Sequence, residues 1–295
     1  MFIDIHVHTT YWKRKSEPPY FYSLAAPEEL IAGYDSIGVE KAALLPLVSP
    51  EAQCQHQSNE EILAICAKYP DRFVPFCNID PRSFCNSIFT PMADILKHYK
   101  DLGCRGVGEV TANLDFLNPM VQNLFAGAQE MELPLTFHIS PEKGVGYGLV
   151  DQAGLPQLEE SLRRFPKLIF LGHSQTFWGE ISKLTCMEDR YNYPKDGPVE
   201  EGTLLRLMRT YPNLYGDLSA FSGYHALKRD RAYAAKFLTE FQDRLLYGTD
   251  ICTPEMPILR PLADLLTDMR DKGEITQEIF EKVARKNAER LLKLA

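Results

Sequence analysis

The sequence predicts an α/β fold, a single (β/α)₈ TIM barrel over residues 1–295. Three observations point there. Short β-branched stretches alternate with longer segments of helical period along the whole chain. Eight such stretches occur, spaced roughly 30–45 residues apart, about the length of one βα unit. Unusual polar residues end several of these strands. A barrel gathers such ends into one mouth, whereas a doubly wound sheet places its ligand at one switch point.

The first strand, Phe2–His8, alternates polar and apolar residues. Side chains two apart share a face. Asp4, His6 and His8 are therefore expected to look into the barrel, with Ile3, Ile5 and Val7 packed on the helices. Thr10–Ala26 follows, Pro-rich and aromatic, as a long loop. The helix expected over Pro27–Ile37 opens with Pro and two glutamates, a start signal. Strand Lys41–Val48, helix Glu60–Tyr69, strand Phe73–Ile79 and helix Met92–Leu102 come next. In strand Cys104–Val110, Gly106 and Gly108 permit close backbone packing. Helix Pro119–Met131, strand Leu133–Ile139, helix Gly154–Phe165 and strand Leu168–His173 continue the alternation. Ser174–Val199 is expected as a second long loop on the same face, a lid or substrate wall like Thr10–Ala26. Helix Glu200–Thr210, strand Leu214–Leu218, helix Arg231–Phe241, strand Arg244–Asp250 and helix Thr276–Lys293 complete the barrel.

Composition narrows the function. Of 295 residues, 45% are hydrophobic and 24% charged, as in ordinary globular chains. A net charge of −8 argues against nucleic acid or an anionic membrane as partner. Seven cysteines without a C-x-x-C pair read as reduced thiols, which suits the cytoplasm. The start MFIDIHVHTT has no cationic, apolar leader, and no apolar run approaches the ~18 residues of a membrane span. Dinucleotide, P-loop and serine-elbow motifs are absent. A small-molecule substrate is the expected partner.

The chemistry is expected at the strand ends. Two inward imidazoles, His6 and His8, are costly without partners, and a divalent ion such as Zn²⁺ satisfies both. Four of the seven histidines, His6, His8, His138 and His173, end three strands. That clustering favours metal binding over ordinary hydrogen-bonded histidines. Asp250 ends the last strand in GTD and can ligate an ion, take a proton from water, or do both; Thr253 is available for helix capping instead. Glu109 in GVGEV is either a further ligand or a salt-bridge partner inside the barrel. Asp217 and Asp4 are expected to support ligands or the barrel core. His56 and His98 read as surface residues, His225 as a solvated loop residue, and Cys252 as a weak ligand or nucleophile candidate. Lys13, Arg14, Lys15, Lys143 and Arg190 are the mouth-side cations that a carboxylate substrate would need. Trp12, Tyr20, Phe21, Tyr22, Phe177 and Trp178 form an aromatic pocket or pack the two long loops.

These residues, in this order, resemble the amidohydrolase superfamily, and most closely its family 2. That family holds aromatic-acid decarboxylases, aminocarboxymuconate-semialdehyde decarboxylase and several hydrolases. IDIHVH is similar to the family's first-strand motif, YPDRFVPFCNIDPR to its third-strand segment, LGCRGVGE to the fourth and FPKLIFLGHS to the sixth. YPNLYGDLS, RLLYGTD and ARKNAERLLKL resemble the seventh strand, the eighth and the closing helix. The resemblance implies His6, His8, His138 and Asp250 as ligands of a divalent metal, Zn²⁺ or a similar ion. It implies catalytic roles for Asp250 and for His173, the latter moving protons or binding a second ion. Glu109 departs from the pattern: two-metal members often carry a carboxylated lysine on this strand, and GVGEV also resembles TatD-like DNases, where a Glu ligates metal. One or two ions per chain are thus implied, and a homodimer is plausible by the same resemblance. The expected function is metal-dependent hydrolysis of a small ester, lactone or amide. The alternatives are non-oxidative decarboxylation of an aromatic or unsaturated acid, a TatD-like DNase, and a non-catalytic metal-binding barrel.

Overall fold

The computed structural model describes residues 1–13, 23–51, 55–192 and 197–294. The first half runs β1 (Phe2–Val7), α1 (Pro27–Asp35), β2 (Val39–Leu44), α2 (Asn59–Lys68), β3 (Phe73–Pro75), α3 (Met92–Asp101), β4 (Val107–Val110) and α4 (Pro119–Glu130). Then come β5 (Leu135–Ser140), β6 (Leu149–Val150), α5 (Pro156–Arg164), β7 (Phe170–His173), α6 (Gln175–Gly179) and α7 (Thr203–Thr210). The chain closes with β8 (Leu214–Asp217), α8 (Ala220–Lys228), α9 (Arg231–Glu240), β9 (Leu245–Leu246), α10 (Pro261–Asp271), α11 (Gln277–Glu281) and α12 (Asn287–Leu292).

The strands pair in parallel in two runs, β1-β2-β3 and β4-β5-β7-β8-β9. Two bridges join the runs into a ring: Cys77 with Val107, and Val7 with Ile251. At those seams Cys77 N–H donates to the Gly106 carbonyl (3.0 Å) and His8 N–H to the Ile251 carbonyl (3.1 Å). The eight predicted strands therefore close as a (β/α)₈ barrel. β6 is an addition, a two-residue strand on the end of β5.

Alternation along the strands divides the core in two. Ile3, Ile5, Ala43, Leu45, Val74, Phe76, Leu171 and Leu246 fill the barrel, with Ala288 and Leu292 of α12 packed among them. Phe2, Val7, Ala42, Leu44, Phe73 and Phe170 pack outward with the helices. This corrects the expectation for β1. Ile3 and Ile5 face inward, and Asp4 faces outward, where it accepts from the Tyr34 hydroxyl of α1 at 2.6 Å. The β1–β2 register is irregular between Asp4 and Val7. That irregularity changes the phase of the strand, so His6 and His8 turn to the mouth above an apolar plug.

Gly106, just before β4, and Gly108 within it do what was expected of them. A Cβ on Gly106 would lie 2.4 Å from the Phe76 ring, and one on Gly108 would lie 2.7 Å from the Thr136 carbonyl. Three helices have no counterpart in the sequence reading. α6 lies inside the segment read as a loop, and its five residues are too short to show a period. α8 contains Ser, Gly and His, poor helix formers. It carries His225, which is therefore helical rather than in a loop. α10 begins with Pro261, a start signal carried by the sequence itself. The closing helix has a π-turn at Lys282–Lys286 between α11 and α12. Among the described residues, no helix is long and apolar enough to cross a membrane.

Candidate metal centre

His6 and His8 come from the end of β1 and are both fully buried. Each ring is held from behind. His6 Nδ1 lies 2.7 Å from Asp217 Oδ2, and His8 Nδ1 lies 2.7 Å from the Leu45 carbonyl oxygen. A carbonyl and a carboxylate only accept, so both Nδ1 atoms carry hydrogen. In the neutral rings the Nε2 lone pairs then face each other, 3.1 Å apart. Two facing lone pairs repel unless a cation or a proton lies between them. Two imidazole nitrogens on one tetrahedral zinc stand about 3.3–3.4 Å apart, given Zn–N distances of ~2.0–2.1 Å. The pair fits a shared ion.

The other strand ends close around this pair. Asp250 follows β9 with a left-handed φ of 54°. Its N–H donates to the His6 carbonyl at 2.7 Å, which ties the last strand to the first. Its Oδ1 stands 3.3 Å from His8 Nε2 and 3.6 Å from His6 Nε2. Glu109 of β4 places Oε2 3.6 Å from His8 Nε2 and 3.7 Å from His6 Nε2. His173, at the end of β7, faces both carboxylates, with Nε2 3.5 Å from Asp250 Oδ2 and 3.9 Å from Glu109 Oε1. His138 of β5 turns Nδ1 to Glu109 Oε1 at 2.9 Å and packs against Tyr147, ring centres 4.3 Å apart and planes tilted by 45°. All six residues singled out in the sequence thus meet in one cluster. Asp250 alone opens to solvent, its side chain 21% exposed against 6% or less for the others.

Without a cation the cluster stores protons. Burial pulls the two imidazoles down, but Asp217, Asp250 and Glu109 outweigh it. His6 is held well above the usual imidazole range, and His8 is pushed up to about 9. Burial raises the carboxyls of Glu109 and Asp250, yet the surrounding histidines hold both well below the usual carboxylate range. His138 is lowered, chiefly by burial. Two sets of donor atoms converge within 4.8 Å: His6, His8 and Asp250, and His6, Glu109 and His173. This is a divalent-metal-binding cluster of imidazole and carboxylate donors.

Two supports were only partly visible beforehand. Asp217, flagged from the sequence, is the partner of His6. Ser219 was not flagged; its Oγ lies 2.9 Å from His173 Nδ1. Its one sequence signal is its place two residues after Asp217, at a strand end. The remaining candidates lie elsewhere. Lys13 pairs with Glu29, and Lys143 with Asp115 at 3.3 Å. Arg190 is buried and donates to the Asp151 carbonyl at 2.9 Å. Arg14, Lys15, Tyr20, Phe21 and Tyr22 fall outside the described residues. Phe177 is packed against Gly172, and Trp178 donates its indole N–H to the Asp217 carbonyl at 2.9 Å. Trp12 is largely exposed. Thr253 caps no helix, since the next begins at Pro261. Cys252 Sγ lies 3.7 Å from Asp250 Oδ1 and belongs to neither donor set. His56 and His98 are exposed, as expected.

A family model described as Amidohydrolase matches residues 3–294. No curated protein matches significantly. Among solved structures, an uncharacterised TIM-barrel protein from Bordetella bronchiseptica superposes with a TM-score of 0.65 at 19% identity, covering 99% of this chain and 98% of that one. A candidate 2-pyrone-4,6-dicarboxylic acid hydrolase from Pseudomonas putida gives 0.62 at 13% identity, covering 99% and 97%. The 5-carboxyvanillate decarboxylase of Sphingomonas paucimobilis gives 0.61 at 16% identity, covering 100% and 99%.

Proposed function

Since the chain belongs to the amidohydrolase family, we propose that its metal-dependent activity is decarboxylation of a carboxylic acid carried on an unsaturated ring. Hydrolysis of an ester, lactone or amide is the second reading. The observation that supports the first is that the two donor sets draw on one imidazole, which suits a single ion. Both donor sets share His6, and among the described residues no further set stands apart from it. A bridged two-ion centre, the arrangement that suits hydrolysis with Glu109 between the ions, needs a second set that does not draw on His6.

His6, His8 and Asp250 hold the ion in this reading, with Glu109 and His138 beside them. Imidazole and carboxylate donors suit Zn²⁺, the ion we assign. Once bound, a divalent ion supplies Lewis acidity and offsets the charge of an anionic substrate. That offset matters here, because Glu109, Asp250 and Asp217 would otherwise repel a carboxylate, and none of the described candidate cations reaches the cluster. Decarboxylation replaces a C–C bond by a C–H bond, so one proton must reach the ring carbon as carbon dioxide leaves. In this reading the proton comes from solvent by way of Asp250, the exposed side chain of the cluster, and His173, with Nε2 3.5 Å from Asp250 Oδ2, orients the group that receives it. In hydrolysis the same two residues would take a proton from the attacking water and return it to the leaving group. The named relatives support the substrate class: 5-carboxyvanillate and 2-pyrone-4,6-dicarboxylic acid are both acids on unsaturated rings. An acidic chain of net charge −8 gives no support to a DNase.

The test is a panel of hydroxylated ring carboxylates, with ring lactones in parallel, offered to zinc-loaded protein. Carbon dioxide release that disappears in His173→Gln, with zinc retained, supports the reading. Lactone opening without carbon dioxide release establishes the second one. Fully zinc-loaded protein inert toward both classes contradicts both.

A further inference from the structure

Ser219 occupies the N-cap of α8. A serine there ordinarily accepts an N–H of the first helical turn, a bond that contributes about 1 kcal/mol. Ser58, Asn118, Ser174, Asp230 and Thr276 all make that bond at their own helices. Ser219 does not. Its hydroxyl is turned instead into the metal centre, 2.9 Å from His173 Nδ1 and 3.3 Å from His6 Nδ1. The helix forgoes a cap so that this oxygen can serve the imidazoles.

The direction of these bonds follows from elimination. His6 Nδ1 carries a hydrogen, and its nearer partner is Asp217 Oδ2 at 2.7 Å. It has no lone pair to offer the serine. Of the two nitrogens that Ser219 Oγ touches, only His173 Nδ1 can accept its hydrogen. The far side of the ring agrees. His173 Nε2 faces carboxylate oxygens of Asp250 and Glu109 at 3.5 and 3.9 Å. Two anionic acceptors favour an N–H there over a lone pair.

We propose that Ser219 is a positioning residue, whose hydroxyl donates to His173 Nδ1 and thereby holds the hydrogen of the neutral imidazole on Nε2, facing the reaction site. In this tautomer His173 has no lone pair on Nε2 and is a hydrogen-bond donor toward the reaction site rather than an ion ligand. The inference deepens the proposed function and rests on His6, His8 and Asp250 as the residues that hold the ion. Removal of the hydroxyl leaves Asp217 Oδ2, 3.7 Å from His173 Nδ1, as the nearest competing acceptor. Asp217 then competes with Asp250 and Glu109 for the hydrogen, and part of it moves to Nδ1.

The test is nitrogen NMR of isotope-labelled histidine in the zinc-loaded full chain, with His173 assigned by its loss in His173→Gln. Long-range proton–nitrogen correlations report which ring nitrogen carries the hydrogen. The wild type is expected to carry it on Nε2, and Ser219→Ala to carry a clearly larger share of it on Nδ1 at unchanged zinc content. A wild-type ring protonated on Nδ1, or a tautomer unmoved in Ser219→Ala, overturns the proposal. If Ser219→Ala does not fold, the wild-type spectrum decides alone. A folded wild type that takes up no zinc contradicts the metal reading, and the tautomer is then decided by the same spectrum of the metal-free protein.

Discussion

Replacing Tyr34 by Phe removes one oxygen atom from the seam that closes the barrel. Asp4 lies at that seam, fully buried, and accepts from the Tyr34 hydroxyl at 2.6 Å. It also accepts from the Thr249 hydroxyl and from the backbone N–H groups of Thr249 and His6. The carboxyl therefore ties helix α1 to both strand ends that carry His6 and Asp250. Burial, only partly offset by these bonds, pushes its pKa from 3.8 up to about 6. The sign follows directly. The folded state binds this proton more tightly than the unfolded chain does, so Asp4 lowers stability as pH rises from about 4 to 6. The full cost, about 3 kcal/mol, is present above that window. Tyr34 remains a donor throughout, because burial and then the charge of Asp4 hold its phenol well above the usual range. At pH 8 the Phe variant loses a bond to a charged acceptor, about 1.5–3 kcal/mol; at pH 5 it loses a mostly neutral one, about 0.5–1.5 kcal/mol. Urea unfolding of metal-free wild type and Tyr34→Phe at both pH values measures the difference. The predicted loss is greater at pH 8 by about 1–1.5 kcal/mol. Equal losses at the two pH values, or a greater loss at pH 5, refute the assignment of Asp4 as a buried carboxylate held by this phenol.

Three further outcomes follow from the same geometry. Asp217→Ala frees the His6 ring and should weaken zinc binding about 10–100-fold in competition with a chromogenic chelator; an affinity within twofold of wild type contradicts the orienting role. Because His8 in the metal-free protein is pushed up to about 9, zinc must displace protons at neutral pH. Calorimetry in buffers of different ionisation enthalpy should show proton release and an apparent affinity that rises with pH up to about 9; no release at pH 7 contradicts it. A Cβ on Gly172 would stand 2.1 Å from the Phe177 ring, so Gly172→Ala should cost about 1–3 kcal/mol by overpacking next to His173, read as a lower melting temperature; an unchanged melting temperature would mean that the ring yields freely.

The barrel was legible because its signals are local and repeated. Each strand is a short apolar run, and most helices carry a Pro or acidic start. The candidate site was legible because two histidines, His6 and His8, share a strand and its other residues end other strands. What escaped depends on contacts between distant segments. The phase change in β1 arises from pairing with β2, and no alternation within FIDIHV reveals it. Strict alternation therefore placed Asp4 inward, whereas it reaches Tyr34. α8 was missed because its Ser, Gly and His lower helix propensity, while packing holds Ser222, Gly223, Ala226 and Leu227 in place. Ser219 looked like any serine after a strand. Its role depends on two imidazoles, at His6 and His173, that come together only when the barrel closes. Arg190 and Lys143 read as mouth-side cations because sequence order locates a loop but not the direction of a side chain.

The most direct measurement is the zinc content of the chain, by elemental analysis of protein purified without chelator or metal-binding tag, for wild type, Glu109→Gln and His8→Ala. A single ion per wild-type chain, kept in Glu109→Gln and largely lost in His8→Ala, is the predicted result. Two ions per chain with one lost in Glu109→Gln, or a folded wild type that takes up no divalent ion under any loading condition, contradicts it.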